Sequence, residues 1–84
     1  MPYYLIICRS LTYAQRTAFV LERVGITASI QRAPKSIAEE GCSHAVRVAQ
    51  RHLARALTAL ARADMTPMRI YLSQQDGGYQ EVLF

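Results

Sequence analysis

Apolar positions open the chain in an unbroken run, Tyr3-Tyr4-Leu5-Ile6-Ile7-Cys8, before Arg9. A run this short, rich in aromatic and β-branched side chains and apolar on both faces, predicts a central strand over residues 3–9 covered on both sides. The period then changes. Ser10 and Thr12 offer N-cap hydroxyls, and Tyr13, Ala14, Thr17, Val20, Leu21 and Val24 follow at helical spacing until Gly25. This predicts a helix with one core face opposite Gln15, Arg16, Glu22 and Arg23. Phe19 falls on the polar side of that helix and is expected to be exposed, as a contact for a second subunit.

Strict alternation over residues 26–32 predicts a half-buried strand with Ile26, Ala28 and Ile30 inward, ended by Pro34. Residues 43–49 alternate again, with His44, Val46 and Val48 sharing one face. A second amphipathic helix is expected from Gln50 to Asp64, burying Leu53, Ala56, Leu57, Leu60 and Ala61. Its outer face carries Arg51, Arg55, Thr58 and Arg62, the most basic surface of the chain. Residues 68–73 alternate with Met68, Ile70 and Leu72 inward. Asp76-Gly77-Gly78 then marks a reversing turn into an edge strand over residues 79–84.

The resulting order, β-α-β-β-α-β with a C-terminal hairpin, predicts an α+β fold, the ferredoxin-like sandwich with two helices on one face of an antiparallel sheet. That architecture hosts metal carriers, regulatory ligand-binding modules, RNA binders and many dimers, so chemistry must come from particular residues.

Composition narrows the class. The 84 residues suffice for one domain, which buries about 60% of its unfolded surface, and a closed homodimer would extend that burial. With 51% hydrophobic and 19% charged residues the chain is far from a disordered composition. The first apolar run has no basic segment before it and is too short for a signal peptide or membrane span, so a cytoplasmic protein with no membrane partner is expected. Ten basic against six acidic residues leave a charge of +4, which favours anionic partners without naming one.

Cys8 and Cys42 are the two cysteines, too few for a disulfide framework. Cys8 sits inside an apolar strand and reads as a small core residue. Cys42 ends the polar stretch that starts at Pro34, with Lys35, His44 and Arg47 close in sequence as candidate stabilisers of a thiolate, the form that attacks and carries sulfur. Glu39 and Glu40 act in the opposite direction. Packing as a small hydrophobe is the competing role for Cys42, and a place at the rim of the core is the competing role for His44. No metal site is expected, since the Cys42-x-His44 spacing fits no familiar zinc module, and no cofactor motif is present.

The opening strand and helix, the Pro34-Lys35-Ser36-Ile37 segment, a cysteine just before Ala45-Val46-Arg47-Val48 and the aromatic last strand together resemble the small bacterial selenium/sulfur carrier-like domains. The resemblance covers nearly the whole chain, and its diagnostic part is the Pro-x-x-Ile to Cys stretch. It implies a compact cytoplasmic domain in which Cys42 is the carrier thiol and a sulfur/selenium-transfer protein is the partner. One position departs from the family pattern: glycine usually follows the cysteine, whereas here Gly41 precedes Cys42 and Ser43 follows it.

A different class of function also fits the residues. A non-catalytic dimeric binding module would use the Arg51, Arg55 and Arg62 face together with Phe19, or an open sheet face carrying Tyr71, Arg69 and Arg47. A base-stacking RNA surface is disfavoured, because the third strand presents Ala45 and Arg47 and no aromatic.

Overall fold

The computed structural model describes residues 2–38 and 44–83. It is an α+β structure with a five-stranded antiparallel sheet. In chain order the elements are β1 (Tyr3–Cys8), α1 (Leu11–Arg23), β2 (Ser29–Arg32), β3 (His44–Ala49), a 3-10 turn (Gln50–His52), α2 (Leu53–Arg62), β4 (Arg69–Ser73) and β5 (Tyr79–Val82). The strands lie side by side as β2-β3-β1-β4-β5. β1, expected at the centre, is the middle strand, antiparallel to both β3 and β4.

Alternation along β1 divides the core into two layers. Ile6 and Cys8 join Val46, Val48 and Ile70 against Ala14 and Leu21 of α1 and Ala56 and Leu60 of α2. On the opposite face Leu5, Ile7, Ala45 and Tyr71 form a second buried cluster. Leu5 and Ile7 are only 0% and 2% exposed, because Ala33, Ile37, Tyr3 and Tyr79 pack against this face. The sheet face proposed above as an open binding surface is therefore closed at its centre by the chain itself, and Tyr71 is buried in it.

The helices begin and end as their sequences require. Ser10 is the N-cap of α1, its hydroxyl accepting a bond from the Tyr13 amide at 3.1 Å. At the other end Gly25, with φ of 83°, lets its own amide reach the Glu22 carbonyl and the Ile26 amide reach that of Leu21. This paired closure satisfies two of the helix's last carbonyls and brings Leu21 and Ile26 together in the core. α2 closes in the same way, from the Asp64 amide to Ala61 and from Met65 to Leu60. Here the left-handed position is occupied by Asp64, with φ of 59°.

Several expected inward positions are corrected. Val24 is exposed, and Ala18 is buried in its place. In α2, Ala59 rather than Ala61 is buried with Ala56 and Leu60, so the core face is turned to the Ala59 flank of that stripe and leaves Leu53 and Leu57 half-buried. Met68 lies just before β4 and is 40% exposed. Ile30 faces the same side as Val46, its cross-strand partner, but β2 is an edge strand and Ile30 remains 39% exposed. Ile26 is buried as expected, although it belongs to the connection before β2.

The hairpin between β4 and β5 forms around Asp76-Gly77-Gly78 as expected. Gln74 donates its amide to Gly78 at 2.8 Å, and the Asp76 carboxylate accepts the Gly78 amide at 2.8 Å. Gly77 takes the positive φ, 88°, that the reversal requires.

Candidate functional site

The polar stretch from Pro34 begins with a tight turn, in which the Pro34 carbonyl accepts the amides of Ile37 at 3.0 Å and Ala38 at 2.8 Å. Lys35 is exposed on this turn, whereas Ile37 is half-buried and packs against the Leu5, Ile7, Ala45 and Tyr71 cluster. The apolar anchor fixes where the stretch leaves the sheet. Cys42, Glu39, Glu40, Gly41 and Ser43 lie outside the described residues.

The chain is described again at His44, the first residue of β3. His44 is half-buried and pairs in register with Cys8 on one side and Arg32 on the other. Antiparallel pairing thus brings the start of β3 beside the ends of β1 and β2, and places the start of β4 one strand further on. Cations from separate parts of the sequence share this end of the sheet: Arg32 at the end of β2, Arg9 directly after β1, and Arg69, which pairs in register with Ile7. Arg9 lies over the Tyr13 ring at 5.2 Å, and Arg69 approaches Glu81 at 3.9 Å between exposed side chains. Sequence proximity to Cys42 did not reveal these three arginines, because only strand pairing brings them together.

Arg47 has a different setting. It is three residues further along β3, opposite Leu5 and Ser29, with its guanidinium 3.9 Å from the centre of the Tyr3 ring. The stacking draws it toward the end of the sheet formed by Tyr3 and Ala49, away from His44. There the Tyr3 and Tyr79 hydroxyls are 3.0 Å apart. Their hydrogen bond, followed by burial, raises the Tyr79 phenol above its ordinary value of 10.0, while nearby Arg47 lowers it.

Cys8 is fully buried, its thiol directed at the Ile6 carbonyl at 3.6 Å and the Thr17 hydroxyl at 3.8 Å. Thr17 is the one polar residue among the buried side chains of the described residues, and this contact helps to satisfy its hydroxyl. Cys8 thus has the packed environment expected of a core cysteine. No group of three potential metal-ligating side chains occurs among the described residues.

The arginines of the second helix are not equivalent. Arg55 donates to the Val24 carbonyl at 2.7 Å and so ties α2 to the end of α1. Arg55 and Arg62 edge a groove of about 420 Å³ whose walls include Val20, Val24, Ala54 and Ala59. Arg51 lies in the 3-10 turn, outside this groove. Phe19 is 62% exposed, with Arg23 over its ring at 5.8 Å.

The sequence model of the family described as "Putative Se/S carrier protein-like" matches residues 3–72. The chain belongs to this family. The match takes in the strands and helices from β1 through most of β4, together with the stretch from Pro34 to Cys42. No curated protein and no solved structure matches the chain. Among the described residues, no helix is long and apolar enough to cross a membrane.

Proposed function

We propose that this chain carries sulfur or selenium on Cys42 and passes it to a partner protein. The observation that carries the reading is the family match across residues 3–72, which spans the cysteine. The setting supports it. His44, two residues after Cys42 in sequence, begins β3 at the sheet end that also holds Arg9 and Arg32. Cations near a thiol favour its thiolate.

In this reading the Cys42 thiolate attacks the outer sulfur of a donor persulfide. The donor's S–S bond breaks as a new one forms to Cys42, and the donor leaves as a thiolate, so no external oxidant or reductant is required. An acceptor thiolate then attacks the same outer atom and restores the Cys42 thiolate. Selenium in the outer position follows the same exchange. In this reading Lys35 on the exposed turn and His44 at the start of β3 assist the thiolate, whereas Arg47, stacked on Tyr3 toward the other end of the sheet, takes no part. The ferredoxin-like description belongs to this proposal as well, supported by the β2-β3-β1-β4 order with two helices on one face. The setting proposed is a cytoplasmic homodimer with Phe19 at the contact between subunits.

The test is the pH dependence of Cys42 alkylation in the folded protein, read by mass spectrometry after exposure to a sulfane-sulfur donor. Labelling well below the ordinary thiol pKa, with a persulfide on Cys42 that is lost in Cys42→Ala, is expected. Slow labelling that requires unfolding, with no persulfide, refutes it.

The groove between α1 and α2 favours a second reading, a non-catalytic binding module that docks a partner through Arg55, Arg62 and Phe19. It predicts that Arg62→Glu abolishes partner capture while Cys42→Ala leaves it intact. The carrier reading predicts that Cys42→Ala removes transfer.

A further inference from the structure

We infer that the end of the sheet opposite His44 holds a second site, specific for a phosphate dianion, either free or as a small phosphomonoester. A cavity of about 260 Å³ opens there, lined by Tyr3, Thr27, Ser29, Arg47, Arg51 and His52. Three strands and the turn after β3 contribute to this end. Ser29 and Arg47 are cross-strand partners, and Arg51 and His52 follow directly from Ala49, the partner of Tyr3. The lining of the cavity begins at Arg47, three residue steps or about 10 Å along β3 from His44, and extends away from it to Tyr3, the partner of Ala49 at the far end of β3. It is distinct from the carrier end.

The lining is composed for an anion. Two arginines, a histidine, a serine and a threonine line it together with Tyr3, and none of the lining residues is acidic. Neither Arg51 nor His52 makes a side-chain hydrogen bond or ion pair among the described residues. Arg47 is held by its face on the Tyr3 ring at 3.9 Å, which leaves its N–H edge available as a donor. Clustered cations without a counter-charge repel one another, and a bound anion relieves that repulsion.

The number of donors distinguishes among anions. A carboxylate offers one charge and two oxygens in a plane, whereas a phosphate dianion can receive two guanidinium forks and hydroxyl donors from several directions. Size limits what is attached. Small-molecule sites commonly measure about 300–1,000 Å³, so this cavity suits a phosphate carrying at most a few carbon atoms.

The experiment is an amide and arginine side-chain NMR titration of the intact protein at constant ionic strength, with inorganic phosphate and glycerol 3-phosphate as probes and sodium chloride as reference. Saturable shifts centred on Thr27, Ser29, Arg47, Arg51 and His52 are expected. They should weaken about tenfold in Arg51→Ala and persist in Arg62→Ala. Tighter binding of glycerol 3-phosphate assigns the site to organic phosphomonoesters, and equal or tighter binding of phosphate assigns it to the free anion. Shifts that chloride reproduces, that survive Arg51→Ala, or that fail to saturate with either phosphate probe overturn the inference.

Discussion

The hydroxyls of Tyr3 and Tyr79 meet at 3.0 Å, joining the first strand of the sheet to the last across 76 residues of sequence. Their rings also contact edge to face, with centroids 6.4 Å apart. Below pH 10, Tyr79→Phe is expected to cost about 0.5–1 kcal/mol, the usual net value of one such hydrogen bond. The sign of the pH dependence follows from the raised Tyr79 phenol. The folded state holds this proton more tightly than the unfolded chain, so the contribution is complete below the unfolded value of 10.0 and is lost as pH rises through the folded value. Urea denaturation at pH 8, 10 and 11 should show the parent losing stability faster than Tyr79→Phe above pH 10. Parallel losses would remove the hydrogen bond as the cause.

Asp64 closes α2 from a left-handed conformation, a position that glycine fills in α1. Its side chain is disfavoured there by about 1–2 kcal/mol, and its negative charge opposes the helix dipole. Glycine relieves both but adds freedom to the unfolded chain, which offsets part of the gain. Asp64→Gly should therefore raise stability by about 0.5–1 kcal/mol in thermal unfolding. A loss of stability would mean that the Asp64 side chain holds a contact worth more than its strain.

Ile37 packs over the cluster that contains Leu5 and Ile7. Complete burial of an isoleucine makes its truncation to alanine cost about 2–5 kcal/mol, and half-burial brings Ile37→Ala to about 1–2 kcal/mol. Because Ile37 anchors the stretch leading to Cys42, the variant should also change the alkylation rate of Cys42 while leaving Cys8 protected. An unchanged Cys42 rate alongside the stability loss would separate the anchor from the thiol.

Cys8 lies under α1 with no exposed surface. Its modification should require global opening, so the labelling rate should rise with urea along the slope of whole-protein unfolding. Fast, urea-independent labelling in native buffer would contradict this burial.

Arg55 and Arg62 flank one groove, yet only Arg55 bonds to the end of α1 among the described residues. Arg55→Ala should cost about 1 kcal/mol through the lost bond to the Val24 carbonyl. Arg62→Ala should stay within about 0.5 kcal/mol, as exposed substitutions without such a bond do. Equal effects in denaturant titration would show that the 2.7 Å contact contributes little.

Local patterns were legible wherever one residue's neighbours in sequence are also its neighbours in space. The double-faced apolar run of β1, the Ser10 cap, the Gly25 stop and the Asp76-Gly77-Gly78 turn depend on short-range sterics and hydrogen bonds, and all four occur as expected. Phe19, on the polar side of the helical period, is exposed. The inward residues of α2 were less legible, because the helical period alone leaves open which flank of the stripe through Ala56 and Leu60 is pressed into the core, and packing chose Ala59 over Ala61.

By itself the sequence determined the order and kind of the elements, the core role of Cys8 and the candidacy of Cys42, since periodicity, capping and residue type all act locally. The tertiary structure decided which distant residues share an environment. Antiparallel pairing sets Arg9 and Arg32 beside His44, while stacking on Tyr3 draws Arg47 to the other end of the sheet, where it joins Arg51 and His52. Strand register and ring stacking act between segments far apart along the chain, and so their effect on the charges emerges only when the sheet is assembled.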